Sequence, residues 1–282
     1  GGNTLEQIRE QQKETWNKFS PGWKRWDDLT MEFLKPMGDE IIRCLNPREN
    51  DLVLDVAAGT GEPGFTIATK LKKGKVIATD IAEGMLEVAQ ENAAKRSIPN
   101  FETRACDACE LPFADNTFDA VSCRLDFMFF PDMQLAAKEM VRVLKPAGRI
   151  AASVWNVPEK NFWVTAIMST INNNIETPTP PSGAPGMFRC AKKGFVTDLF
   201  SQAGLKNISE KEVDGKLGAG TTDTYWNFMT EVVAPVVAAL SKANDAMKLK
   251  VKKEVFDLVN QQYPDGRAAI DSSALVVYGE KN

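Results

Sequence analysis

A doubly wound α/β fold on a mostly parallel sheet is predicted by three observations. From Asp51 onward, short β-rich runs alternate with segments of helix length, the pattern of repeated βαβ units. The first run leads into a turn of small residues, Asp55-Val56-Ala57-Ala58-Gly59-Thr60-Gly61. The second run ends on an acid, Asp80, about 20 residues beyond the glycines, the offset at which nucleotide-binding sheets place a ribose-binding carboxylate.

Taken in order, residues 4–45 read as amphipathic helix, interrupted near Ser20-Pro21-Gly22 and carrying Trp16, Trp23 and Trp26, so residues 1–48 are expected to form an N-terminal helical cover. The core is expected over 49–155. Its strand candidates are 52–56, 76–79, 101–105, 118–123 and 149–155, with helices at 62–71, 83–95 and 134–144 between them. Lys145-Pro146-Ala147-Gly148 ends the last of these helices. After Trp155 the alternation lapses. Residues 156–190 contain Thr177-Pro178-Thr179-Pro180-Pro181-Ser182-Gly183, a loop signal of the kind that builds lids and substrate walls. A helix at 192–203, a strand at 205–213, two helices within 221–262 and a last strand at 274–278 complete the 282-residue chain.

Composition narrows the function. With 43% hydrophobic and 26% charged residues the chain is an ordinary globular protein, neither disordered nor fibrous. The net charge of −4, with both signs interspersed, leaves no footprint for nucleic acid or anionic lipid, and a small-molecule partner is expected. The apolar stretch 232–240 is broken by Pro235 and falls well short of the roughly 20 residues of a spanning helix, so no membrane span is expected. Gly1-Gly2-Asn3 opens no secretory signal, and the five dispersed cysteines need no pairing, which fits the cytoplasm. There is no histidine, which excludes a histidine base, a Ser-His-Asp triad and any histidine-bearing metal site.

The turn after the first strand is the strongest feature. Ala57, Ala58, Gly59 and Gly61 leave the backbone open to a ligand, and the helix that follows presents free N–H groups at its positive end. Gly59, Gly61 and Gly64 also spell G-x-G-x-x-G, the dinucleotide fingerprint of an NAD-dependent oxidoreductase. Two details oppose that reading. Asp55 closes the strand where it would repel a pyrophosphate but suit an ammonium group, and the glycines begin four residues after it rather than at the strand end. Asp107 and Ala108 close the third strand, and Arg124-Leu125-Asp126 follow the fourth, all at the edge where open α/β sheets bind ligands.

In order and spacing, Asp55-x-x-x-Gly59-Thr60-Gly61, Thr79-Asp80, Asp107-Ala108-x-x-Leu111-Pro112-Phe113 and Asp119-Ala120-Val121 followed by Arg142-Val143-Leu144-Lys145-Pro146-x-Gly148-Arg149 resemble the class I S-adenosylmethionine-dependent methyltransferases. The branch most resembled contains the ubiquinone- and menaquinone-biosynthesis C-methyltransferases, and the match spans about residues 50–155. The resemblance implies S-adenosylmethionine as cofactor and S-adenosylhomocysteine as product. It implies that Asp55, Ala57, Gly59, Thr60 and Gly61 embrace the methionine part, Asp80 the ribose, and Asp107 with Ala108 the adenine, with Ile81 and Met85 packing on the base and Arg124 touching the cofactor from the fourth strand. It also implies a seven-stranded sheet of order 3-2-1-4-5-7-6 with an antiparallel last strand, which leaves 214–262 as a helical insertion; together with the acceptor-side loop at 156–190, read from the residues alone, this is expected to form a lid over the site. Ala58 and Ala147 depart from the family pattern without blocking cofactor binding.

Methyl transfer disperses the donor's positive charge, so a dry aromatic site that holds the reactants in line suits it. Phe127, Phe129, Phe130, Trp155 and Trp163 are candidate walls, or else core packing. Asp126 and Glu159 are the acids placed to take a proton from the acceptor, Asp126 being the catalytic candidate. Cys106-x-x-Cys109 lacks a second pair, so no metal site is expected. The competing readings are a cofactor-binding subunit or sensor without catalysis, the NAD-dependent oxidoreductase, and an arsenite methyltransferase using the dispersed thiols.

Overall fold

The computed structural model describes residues 3–282; Gly1 and Gly2 of the expected helical cover lie outside them. Seven strands, β1 (Leu52–Val56), β2 (Lys75–Asp80), β3 (Phe101–Ala105), β4 (Phe118–Arg124), β5 (Leu144–Trp155), β6 (Lys206–Gly220) and β7 (Ala268–Glu280), form one sheet in the order β3-β2-β1-β4-β5-β7-β6. The first five strands run parallel, while β7 is antiparallel to both β5 and β6. Strand order reverses between β1 and β4, and the crevice outside the carboxyl ends of these strands is where open sheets bind ligands.

The doubly wound layering follows from side-chain alternation. Val53, Val76, Ala120 and Ala151 point to one face and pack on Ile41 and Leu45, whereas Leu54, Val121, Ile150 and Ala152 join the larger core on the other. Helices α1 (Leu5–Arg25) and α2 (Asp27–Leu45) precede the sheet; α3 (Gly64–Lys70), α4 (Glu83–Lys95) and α5 (Met133–Val143) connect the parallel strands. Buried Arg149 ties α2 to the sheet. It bonds the carbonyls of Leu45 and Asn46 at the helix end and pairs with Asp51 at 2.6 Å.

Several elements differ from the sequence reading. Helix α1 runs unbroken through Ser20-Pro21-Gly22 and ends at Trp26. Proline cannot donate to the Asn17 carbonyl, but the Ser20 hydroxyl takes that carbonyl at 2.9 Å, and Gly22 fits where a Cβ would meet the Glu231 carbonyl at 2.9 Å. The 156–190 segment is not all loop: α6 (Phe162–Asn174) occupies its middle, burying Trp163, Ala166, Ile167, Thr170 and Ile171 at helical spacing. After α7 (Phe195–Gln202) the long antiparallel pair β6–β7 is interrupted by three helices, α8 (Thr222–Val232), α9 (Ala234–Ser241) and α10 (Asp245–Gln262), rather than two. Pro235 opens α9, and the Asn244 side chain caps α10, which is why the segment breaks there. Among the described residues no helix is long and apolar enough to cross a membrane.

Candidate active site

The carboxyl ends of β1, β2 and β4 open on a cavity of about 420 Å³, roofed by α1, α2, α6, α8 and α9. A side cavity of about 30 Å³ continues it toward the end of β3. The floor is the turn after β1. Ala57 and Gly59 adopt left-handed φ of 58° and 57°, and Gly61 stands at 129°, so the turn lays its backbone open toward the cavity. A Cβ on Gly61 would overlap the Phe65 ring, while one on Gly59 would only touch Met85 Cε at 3.8 Å. Pro63 occupies the N-cap position of α3.

Asp80 joins the turn to the next strand. Its Oδ2 accepts from the Gly59 N–H at 3.1 Å and its Oδ1 from the Ala82 N–H at 2.9 Å, so it braces both the glycine turn and the entrance to α4. Burial still pushes its carboxyl up to about 6, against the pull of those N–H donors. Asp55 is wholly buried and is not a wall of either cavity. It lies beneath the turn, where Oδ1 accepts from the Ser122 hydroxyl at 2.8 Å and Oδ2 has no partner beside Gly64. Burial raises it to about 7, partly countered by the Ser122 bond and the positive field of Arg124.

Of the residues singled out in the sequence, Ala57, Gly59, Thr60, Asp80, Met85, Arg124 and Asp126 line the large cavity, and Ile81, Asp107 and Ala108 line the side cavity. Gly61 shapes the turn from behind and, like Asp55, lines neither. Asp107 accepts from the Cys109 N–H at 2.9 Å and faces Arg9 of α1 at 3.9 Å. Leu125, with φ of 57°, turns the chain between Arg124 and Asp126 so that both reach the cavity. Among the described residues no carboxylate or acceptor lies within bonding distance of the Arg124 guanidinium, and no donor reaches the Asp126 carboxylate. Burial lowers the first, and burial together with nearby Asp80 raises the second well above the usual carboxylate range. Arg124 and Asp126 form no ion pair with each other.

The remaining walls are aromatic. Phe33, Trp155 and Trp163 cluster with ring centroids 4.9–5.8 Å apart, and Trp16 of α1 meets Phe129 edge-on at 5.5 Å. Trp163 is fixed by its N–H donating to Asn161 Oδ1 at 3.0 Å, Asn161 itself being held by the Ser273 backbone. Trp16, Trp23, Phe129, Trp155 and Trp163 therefore face the cavity, whereas Phe127 is a core residue and Glu159 is exposed on the surface away from it. Sequence reading missed Thr30, Phe33 and Leu34 of α2 and the wall formed by Phe228, Val233, Pro235 and Ala238. The only signal for the latter was the apolar run around Pro235. Cys106 borders the side cavity, Cys123 and Cys190 are buried, and among the described residues no three acids or thiols gather as metal ligands.

The comparisons with known proteins point to one family. Residues 53–148 match a family model described as a methyltransferase domain. Nocamycin O-methyltransferase of Saccharothrix syringae is 28% identical over 209 residues, covering 70% of this chain and 74% of that one. Demethylmenaquinone methyltransferase of Listeria monocytogenes is 29% identical over 160 residues, covering 56% of this chain and 68% of that one. In fold, the YcgJ protein of Bacillus subtilis superposes with a TM-score of 0.57 at 21% identity, covering 87% of this chain and 97% of that chain. With the observed sheet order and the matched domain, the chain is a class I S-adenosylmethionine-dependent methyltransferase.

Proposed function

We propose that the enzyme moves the methyl group of S-adenosylmethionine to a small organic acceptor by in-line displacement, with the cofactor along the turn and side cavity and the acceptor in the aromatic chamber. The observation that carries this reading is the junction: a glycine turn braced by Asp80 at the switch point of the sheet, opening directly into a largely apolar cavity.

The donor set fits the group. Ala57, Gly59 and Thr60 lie along the methionine part, and the free lone pairs of Asp80 accept from the ribose hydroxyls. Ile81, Asp107 and Ala108, which line the side cavity, border the adenine, with Met85 packed at its edge. Arg124, a cation that lines the cavity without a carboxylate partner, takes the carboxylate of the amino-acid end. Asp55 acts from below the turn, its field favouring the cofactor's positive charge without touching it, and Gly61 acts by giving the turn its shape. Asp126, at the boundary of both cavities, is the group positioned to receive the acceptor's proton. The cofactor supplies an electrophilic methyl on a sulfonium; the chain's own residues orient the partners and exclude water.

Calorimetry with S-adenosylmethionine, S-adenosylhomocysteine and NAD tests the assignment. The first two are expected to bind and the third is not. Tight NAD binding, or no binding of S-adenosylhomocysteine, would overturn it. A screen of phenols, quinol precursors, amines and fatty acids for S-adenosylhomocysteine release then separates an enzyme from a cofactor-binding subunit.

A further inference from the structure

Much of the chamber is lined by Phe33, Trp155, Trp163, Phe228, Val233 and Pro235, none of them charged. A charge carried into it by the acceptor would lose its hydration and find no partner there. The charged walls are Glu62, Asp80, Arg124 and Asp126; Glu62 accepts from the Thr66 N–H and hydroxyl, and on the reading given above Asp80 and Arg124 are engaged by the cofactor. That leaves Asp126 as the charged group available to the acceptor, a carboxylate that borders both cavities and has no hydrogen-bond donor of its own, while the neutral polar walls, among them the unpartnered Trp23 Nε1 and Thr30 Oγ1, supply no countercharge. In the ionised form, which the positive charge of the bound cofactor favours, Asp126 accepts hydrogen bonds and offers none, so the acceptor donates. A donating ammonium is disfavoured. The cofactor already brings a sulfonium and an ammonium into the same dry space, where a further cation is repelled, and a protonated amine has no lone pair for the methyl.

We infer that the acceptor is an uncharged, flat apolar ring compound carrying a hydroxyl, a phenol or enol, whose O–H points at Asp126 and whose ring lies among the aromatic walls. The inference rests on the cofactor placement proposed above. In the reaction the hydroxyl proton passes to the Asp126 carboxylate and an oxygen–methyl bond forms as the sulfur–methyl bond breaks. The electron pair of that bond stays on sulfur, leaving a neutral thioether and a methyl ether.

The test is a calorimetric titration of the full chain saturated with S-adenosylhomocysteine. The probes share one ring system: 1-naphthol, 1-naphthoate, protonated 1-naphthylmethylamine and 1-methoxynaphthalene. The naphthol is expected to bind at least about ten-fold more tightly than either charged probe. In Asp126→Ala the naphthol is expected to lose about ten-fold or more, while 1-methoxynaphthalene, which cannot donate, binds wild type and variant alike. Naphthol affinity unchanged by Asp126→Ala, a charged probe binding as well as the naphthol, or no naphthol binding at all would overturn the inference with the cofactor reading intact. Failure of S-adenosylhomocysteine to bind would instead overturn the cofactor reading beneath it.

Discussion

Asp80 and Asp55 show how two carboxylates on neighbouring strands are kept apart in role by their surroundings. Asp80 presents its oxygens at the cavity wall while holding two backbone N–H groups, so Asp80→Ala removes a ligand acceptor and loosens the turn together. Affinity for S-adenosylhomocysteine should fall by about thirty-fold or more, the scale of roughly 2 kcal/mol for charge-assisted hydrogen bonds; calorimetry reads it, and an unchanged affinity removes the ribose contact.

Both carboxylates hold protons more tightly in the free folded protein than in the unfolded chain, Asp55 titrating near about 7 and Asp80 near about 6. Their contribution to stability is therefore greatest below pH 3.8, the ordinary value given for both groups, and declines as pH rises toward 7. A cationic cofactor whose hydroxyls donate to Asp80 favours the ionised forms. Binding should release protons and strengthen as pH rises through that window, visible as a buffer-dependent enthalpy at pH about 6; affinity that is flat or falls with pH contradicts it.

At the scale of elements, the turn after β1 was legible in the sequence because its signal is local. Small residues, an acid and a following helix lie within one stretch of chain, and their conformation is dictated by backbone sterics. The two glycines are not equivalent, however. Gly59→Ala has room beside Met85 and should cost only the left-handed backbone, about 1–2 kcal/mol, whereas Gly61→Ala drives a methyl into the Phe65 ring and should abolish cofactor binding. Urea unfolding and calorimetry of the pair check the contrast, and equal effects would count against it. The cavity roof was not legible, because it is assembled by packing. Thr30 and Phe33 reach the site only because α2 packs across the face of the sheet, and Val233 with Pro235 only because α8 and α9 fold back over the cavity. Helix α6 did carry a helical period in Trp163, Ala166-Ile167 and Thr170-Ile171, but the proline-rich tract after it dominated the reading. Helix α1 passes Pro21 through a side-chain substitute, the Ser20 hydroxyl, which proline punctuation alone does not foresee.

For the whole molecule, the alternation of strands and helices sets the sheet, and tertiary ties set where the cover sits on it. Arg149 is one such tie, joining α2, β5 and Asp51 in a buried cluster. Arg149→Met strands the Asp51 carboxylate and should destabilise the fold by about 3 kcal/mol or more, lowering the melting temperature by several degrees; a melting curve that does not move would show the pair to be dispensable. A second tie is α1, which spans from Arg9 beside Asp107, past Asn17 on the Gly84 N–H at 2.9 Å, to Arg25 on Glu231 of α8. It thereby encloses both halves of the site. The central claim is that this enclosure surrounds an adenosyl amino acid, and a crystal structure of the protein grown with S-adenosylhomocysteine tests it most directly. The account predicts ribose hydroxyls on Asp80, adenine between Ile81 and Ala108, and the thioether sulfur facing Asp126 and the aromatic chamber. Electron density for the ligand anywhere else, or a bare crevice at the end of β1 under saturating ligand, would contradict it.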